Sequence, residues 1–139
     1  MKLTVIIAMS MIYALGIMAC NSSKAKSMDV KILLRAGNGG GFAGKEIIYS
    51  IDENGGISGN GESFKKIKKE TIEQLLSNVS VLGLDHQDYN KPGNIYNFIE
   101  IMQNGELKRL AWDPMNNEVP SNLILFHNNV IQIIKKSKK

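Results

Sequence analysis

After residue 20 the chain has no cysteine, because the only one among its 139 residues is Cys20. Whatever folds after that point therefore has no disulfide, no thiolate zinc site and no cysteine nucleophile. No GxSxG elbow occurs, and neither histidine, His86 or His127, has a serine neighbour that would mark a nucleophile. A metal centre wants at least three converging ligands, and two distant histidines beside Asp85 and Asp88 do not supply that pattern. Basic residues outnumber acidic ones 17 to 13 but form no stripe interleaved with aromatics, which argues against a nucleic-acid partner. No internal repeat is visible.

At the front stands MKLTVIIAMSMIYALGIMAC, in which one cation, Lys2, precedes an uncharged apolar run from Leu3 to Met18 and a small Ala19. That is the pattern of a secretory signal. The tetrapeptide Ile17-Met18-Ala19-Cys20 resembles a bacterial lipobox. The resemblance implies that residues 1–19 are a signal peptide and that Cys20 carries a thioether-linked diacylglycerol, with an acyl chain such as palmitate on its freed amine. Two or more chains hold a protein stably on a bilayer. Membrane lipid is then one partner, and the location is the cell envelope, on the periplasmic or surface side of a bacterial membrane. An uncleaved anchor helix is the alternative, since about 17 to 25 apolar residues can span; it tethers the chain to the same membrane. Residues 20–28 read as the lipidated cysteine and a flexible polar tether. Residues 29–139 are enough for a single domain with one modest core. The surplus lysines sit in IIKKSKK, where they suit the negative end of a helix dipole or, functionally, an anionic lipid surface.

Within 29–139 two β-patterned stretches come first, DVKILL (29–34) and KEIIYSI (45–51), separated by a glycine cluster. DENGG is a strong turn signal, and ISGNG after it reads as an edge strand. Ile72, Leu75, Leu76 and Val79 then fall on one helical face, with Thr71 and Gln74 spaced as a capping box and Gly83 as a stop. LDHQDYNKPGN (84–94) is a polar loop. Its Asp85, Asp88, Asn90 and Asn94 are oxygen ligands without the order of a calcium loop.

Asn104-Gly105 is the dipeptide that a type I′ hairpin turn prefers. Counting outward, Gln103 faces Glu106, Ile101 faces Lys108, Glu100 faces Arg109, Ile99 faces Leu110, Phe98 faces Ala111 and Asn97 faces Trp112. Ile99, Ile101, Leu110 and Trp112 then share the core face, while the Glu100–Arg109 pair and Phe98 occupy the other. Trp112, Tyr96 and Phe98 also allow a sugar platform or a protein-binding patch. After a second polar connection, Pro120-Ser121 opens a final helix through Lys135 with a stripe of Phe126, Val130, Ile133 and Ile134. The expected fold is α+β: a small antiparallel sheet of about four to five strands with two helices packed on one face, in the order β-β-(β)-α-β-β-α.

One motif invites a chemical reading. GGGFAGKE (39–46) matches Gly, four residues, Gly, Lys, the frame of a phosphate loop. A working loop adds a Ser or Thr for magnesium and runs into a helix. Here that place is Glu46, and IIYSID continues as a strand, so nucleotide is excluded as a ligand and no cofactor is expected. The glycines then admit two readings. In one they make a hairpin loop with Phe42 dropping into the core; in the other they present a narrow backbone ridge to a partner.

The stretch GGFAGKEIIYSIDENG, a Gly-Gly-Phe-Ala-Gly turn feeding a strand and followed by a helix, resembles emfourin, a small bacterial inhibitor of thermolysin-like metallopeptidases. The likeness reaches from Val30 to Val81 at most. It implies a non-enzymatic domain with a metallopeptidase partner and carries over no inhibitory residue; on the partner-binding reading of the glycines, Gly39, Gly40, Gly41, Phe42, Ala43 and Gly44 are the contact loop. Two alternatives stand beside it: a structural or assembly lipoprotein docking through its exposed sheet face and lysine tail, and a small metal-dependent hydrolase using His86 and Asp88.

Overall fold

The computed structural model describes residues 31–139; the stretches read above as a signal peptide (1–19) and as the lipidated Cys20 with its tether (20–28), together with Asp29 and Val30, lie outside the described residues. The order of elements is β1 (Ile32–Gly40), β2 (Ile47–Asp52), β3 (Ile57–Gly59), α1 (Lys69–Val81), β4 (Asn90–Lys91), β5 (Ile95–Gln103), β6 (Glu106–Trp112) and α2 (Ser121–Ser137). All strands join one six-stranded sheet in the order β3-β2-β1-β5-β6-β4. Every pairing is antiparallel except β4 with β6. The α+β class and the order of elements agree with the sequence reading, with one strand more than expected. That strand, β4, is two residues long and carries no hydrophobic alternation. It is held by backbone pairing with Ala111 and Trp112 at the sheet edge, which side-chain patterns do not report.

The β5–β6 hairpin has the register counted from its turn, from Gln103 opposite Glu106 to Asn97 opposite Trp112. Asn104 and Gly105 have φ of 49° and 88°, the doubly left-handed geometry of a type I′ turn. Ile99, Ile101, Leu110 and Trp112 are buried on one face with Leu34, Ala36 and Ile51 of β1 and β2. Both helices cover that face: α1 contributes Leu75 and Val79, and α2 contributes Leu123, Phe126, Val130 and Ile134. Asp52 closes the DENGG turn by accepting the amides of Asn54 and Gly56, at 2.8 and 2.9 Å. β3 follows as the edge strand.

Three local expectations are corrected. Thr71 and Gln74 form no capping box, because α1 begins earlier, at Lys69, and its N-cap Lys68 makes no side-chain hydrogen bond. The last helix runs two residues past Lys135, where Ser137 Oγ donates to the carbonyl of Ile133 at 2.8 Å. β1 does not stop at Leu34. It continues through Gly37, Gly39 and Gly40, which pair with Phe98, Tyr96 and Ile95 of β5. Glycine weakens a strand interior unless something packs where the side chain would be, and here the aromatic rings of β5 do so. A Cβ on Gly37 would collide first with the Ile47 carbonyl oxygen of β2 and would sit 3.0 Å from the tip of the Phe98 ring; one on Gly39 would sit 2.7 Å from the Tyr96 hydroxyl.

Candidate functional site

The sheet therefore has a covered face and an open one, and the glycine loop joins β1 to β2 at one end. Gly40, Gly41 and Gly44 have φ of 89°, 73° and 59°, a region costly for side chains other than glycine. These angles reverse the chain within the turn Gly41–Gly44, closed by the Gly44 amide donating to the Gly41 carbonyl at 3.1 Å. Phe42 stands at the tip, fully exposed at 111% of its reference area. The reading that dropped Phe42 into the core is thus corrected. β1 already runs to Gly40, and the reversal after it carries Phe42 beyond the sheet end, where no helix can cover it. A Cβ added at Gly41 or Gly44 would meet nothing within 4 Å. The loop is accordingly a ridge one backbone thick with a single large side chain. Ile47, Ile48 and Ile95 are also exposed, on the strand ends nearest the loop, with Ile95 paired to Gly40.

The six residues singled out in the sequence divide into two groups. Half-buried Gly41 and exposed Phe42, Ala43 and Gly44 form the turn. Gly39 and Gly40 belong to β1 and lie beneath it: Gly39 is buried, and Gly40 is pressed against the backbone of Asn94. The Asn94 carbonyl in turn accepts the Gly41 amide at 2.7 Å and fixes the incoming end of the loop.

The outgoing end is held by residues to which the sequence reading gave other roles. Glu46 crosses the open face to accept hydrogen bonds from the Tyr96 hydroxyl, at 2.7 Å, and from the Arg109 guanidinium. Arg109 also donates to Glu100 at 3.0 Å, and Glu100 accepts from Arg35 at 3.3 Å. The Arg109 guanidinium lies 4.1 Å from the ring centre of Phe98, which is completely buried although it sits on the face without helices. Its cover is this stacked cation. The Arg109 hydrogen bond, and after it that of Tyr96, hold the Glu46 carboxyl below its usual range against the opposing effect of burial. The hydrogen bond to Glu46 pushes the Tyr96 hydroxyl up. The Glu100–Arg109 pair was readable from the hairpin register. Glu46 was not, because it is 63 residues from Arg109 and meets it only across β1 and β5, which lie between β2 and β6 in the sheet.

The remaining candidates are placed as follows. Trp112 is core, its ring edge-on to buried His127 at 5.1 Å between centres. His86 is exposed and pairs with Asp85 at 3.6 Å rather than with Asp88. Asn90 lies in β4, and the Asn94 carbonyl is engaged by the loop. Among the described residues no three His, Cys, Asp or Glu side chains gather closely enough to hold a metal ion, and no helix is long and apolar enough to cross a membrane. The tail lysine Lys138 is paired with Glu62 at 2.7 Å. Comparison with protein-family models, with curated proteins and with solved structures finds no match to this chain.

Proposed function

We propose that the chain is a membrane-anchored envelope lipoprotein whose α+β domain binds another protein without catalysing a reaction, through the loop Gly41–Gly44. Inhibition of a thermolysin-like metallopeptidase is the most specific form of this reading, and it rests on the GGFAG resemblance. One observation carries the proposal: Phe42 is the most exposed large apolar side chain among the described residues, held at a loop tip. An aromatic side chain in water forgoes the burial free energy that makes such residues the anchors of protein interfaces. The glycines on either side leave room for a partner's walls to close around it. Exposed Ile47, Ile48 and Ile95 extend an apolar rim on the same end of the sheet.

The test is capture from the producing organism's envelope and secreted fractions, using the native chain and Phe42→Ala side by side. A metallopeptidase held by the first and lost by the second, with its activity falling in the presence of the native chain, is the expected result. Recovery of the same envelope-assembly proteins by both would favour the structural lipoprotein instead.

A further inference from the structure

The loop has no packed core of its own, and glycine-rich turns are costly to order. What keeps this one ordered is visible at its two ends. At the incoming end the Gly41 amide donates to the Asn94 carbonyl, and the backbones of residues 40 and 94 approach so closely that only glycine fits at position 40. At the outgoing end Glu46, the residue before β2, reaches across β1 to Tyr96 on β5 and Arg109 on β6. The path of that reach lies over Gly39. A Cβ there would be 2.7 Å from the Tyr96 hydroxyl and 2.8 Å from Glu46 Cγ, closer than such atoms come. Gly39 is not among the residues with left-handed φ, so its backbone makes no demand for glycine. Its bareness serves the crossing side chains.

We infer that the hydrogen bonds of Glu46 with Tyr96 and Arg109, passing over the bare Cα of Gly39, form a clamp that presets the orientation of the Gly41–Lys45 loop for its partner. Glu46, Tyr96, Arg109 and Gly39 are positioning residues, and Phe42 is the contact residue. The purpose of the clamp rests on the recognition reading above; its existence as a restraint on the loop does not. A loop ordered in advance does not spend binding free energy on ordering. Arg109 is well suited to the task. Its fork reaches Glu46 and Glu100 together while its plane lies on Phe98, so the guanidinium is located from three sides.

The clamp can be tested without knowing the partner. In the full-length chain in detergent micelles, amide hydrogen exchange at Gly41 and Gly44 and the rate of chymotryptic cleavage after Phe42 both report loop opening. Arg109→Met keeps an apolar cover on Phe98 while removing the donors. Gly39→Ala blocks the path with no charge changed, and Tyr96→Phe deletes one hydroxyl. Loss of a charge-assisted hydrogen bond should raise loop exchange and cleavage about tenfold in the first two variants and less in the third. The amides of Phe126 and Val130 in α2 should keep their native exchange rates. Arg109→Lys, which retains a charged donor group but not the fork that reaches both carboxylates, should recover part of the protection. The inference is overturned if loop exchange stays native in Gly39→Ala and Tyr96→Phe, or if α2 accelerates in step with the loop in every variant. Failure of Phe42→Ala to weaken a partner is a separate outcome, which would remove the recognition reading and leave the restraint standing.

Discussion

His127 makes a sharp prediction about acid. It lies on α2 with 7% of its surface exposed, edge-on to Trp112, with Nε2 3.3 Å from the Gly37 carbonyl in the middle of β1. Burial disfavours the imidazolium and lowers the ring's pKa below the ordinary 6.5, with the Gly37 carbonyl and Asn128 opposing only in part. The folded chain therefore keeps His127 neutral at a pH where the unfolded chain has taken up a proton. Stability is greatest above the unfolded value and is lost as pH falls below about 6.5, until the folded state also protonates. Each pH unit in that window removes at most about 1.4 kcal/mol. A loss of about 1 kcal/mol lowers the thermal midpoint of a domain this size by roughly 4 °C. Glu46 does not confuse the result, because a lowered carboxylate loses its contribution only as pH falls beneath its ordinary 4.5. Urea unfolding of the native chain and of His127→Phe, which keeps a ring against Trp112 but cannot titrate, should be compared at about pH 7.5 and about pH 5.5. The native chain should weaken more than the variant, by at most about 1.4 kcal/mol. Parallel decline in both would show that His127 carries no proton linkage and that the burial argument is wrong.

Gly105→Ala should cost about 1 to 2 kcal/mol in urea unfolding, since φ of 88° is left-handed and the added methyl has open space around it, so strain alone acts. Glu100→Gln, which leaves the Arg35 and Arg109 guanidiniums without their shared carboxylate, should cost about 1 kcal/mol, the exposure of both arginines limiting the loss. Phe42→Ala should leave the unfolding midpoint within about 0.5 kcal/mol of native, as expected of a surface side chain rather than a buried phenylalanine.

How much of this was legible in the sequence depended on distance along the chain. The β5–β6 hairpin was readable to the residue because Asn104-Gly105 sets the register locally and period-two alternation then assigns both faces. The helical stripe at Ile72, Leu75 and Val79 and the Gly83 stop were legible for the same reason, while Leu76, counted on that face, is exposed at the edge of the stripe. β1 was not readable through its glycines, since their strand conformation depends on Phe98 and Tyr96 lying across them from β5, some sixty residues away. Without that extension neither the exposure of Phe42 nor the reach of Glu46 could be seen. The GGFAG letters did mark the loop. They could not separate Gly41 and Gly44, which turn the chain, from Gly39, which makes room for other side chains.

The central claim, that Phe42 on its glycine loop is a recognition element for a peptidase, is tested most directly by a titration. A thermolysin-like metallopeptidase is assayed against increasing amounts of the full-length chain in detergent, native and Phe42→Ala. The account predicts stoichiometric loss of activity with the native chain. The variant should be weaker by about 10- to 100-fold, the worth of burying one aromatic side chain in a partner, with its unfolding midpoint unchanged. Full peptidase activity at saturating native chain, or equal inhibition by both proteins, would contradict it.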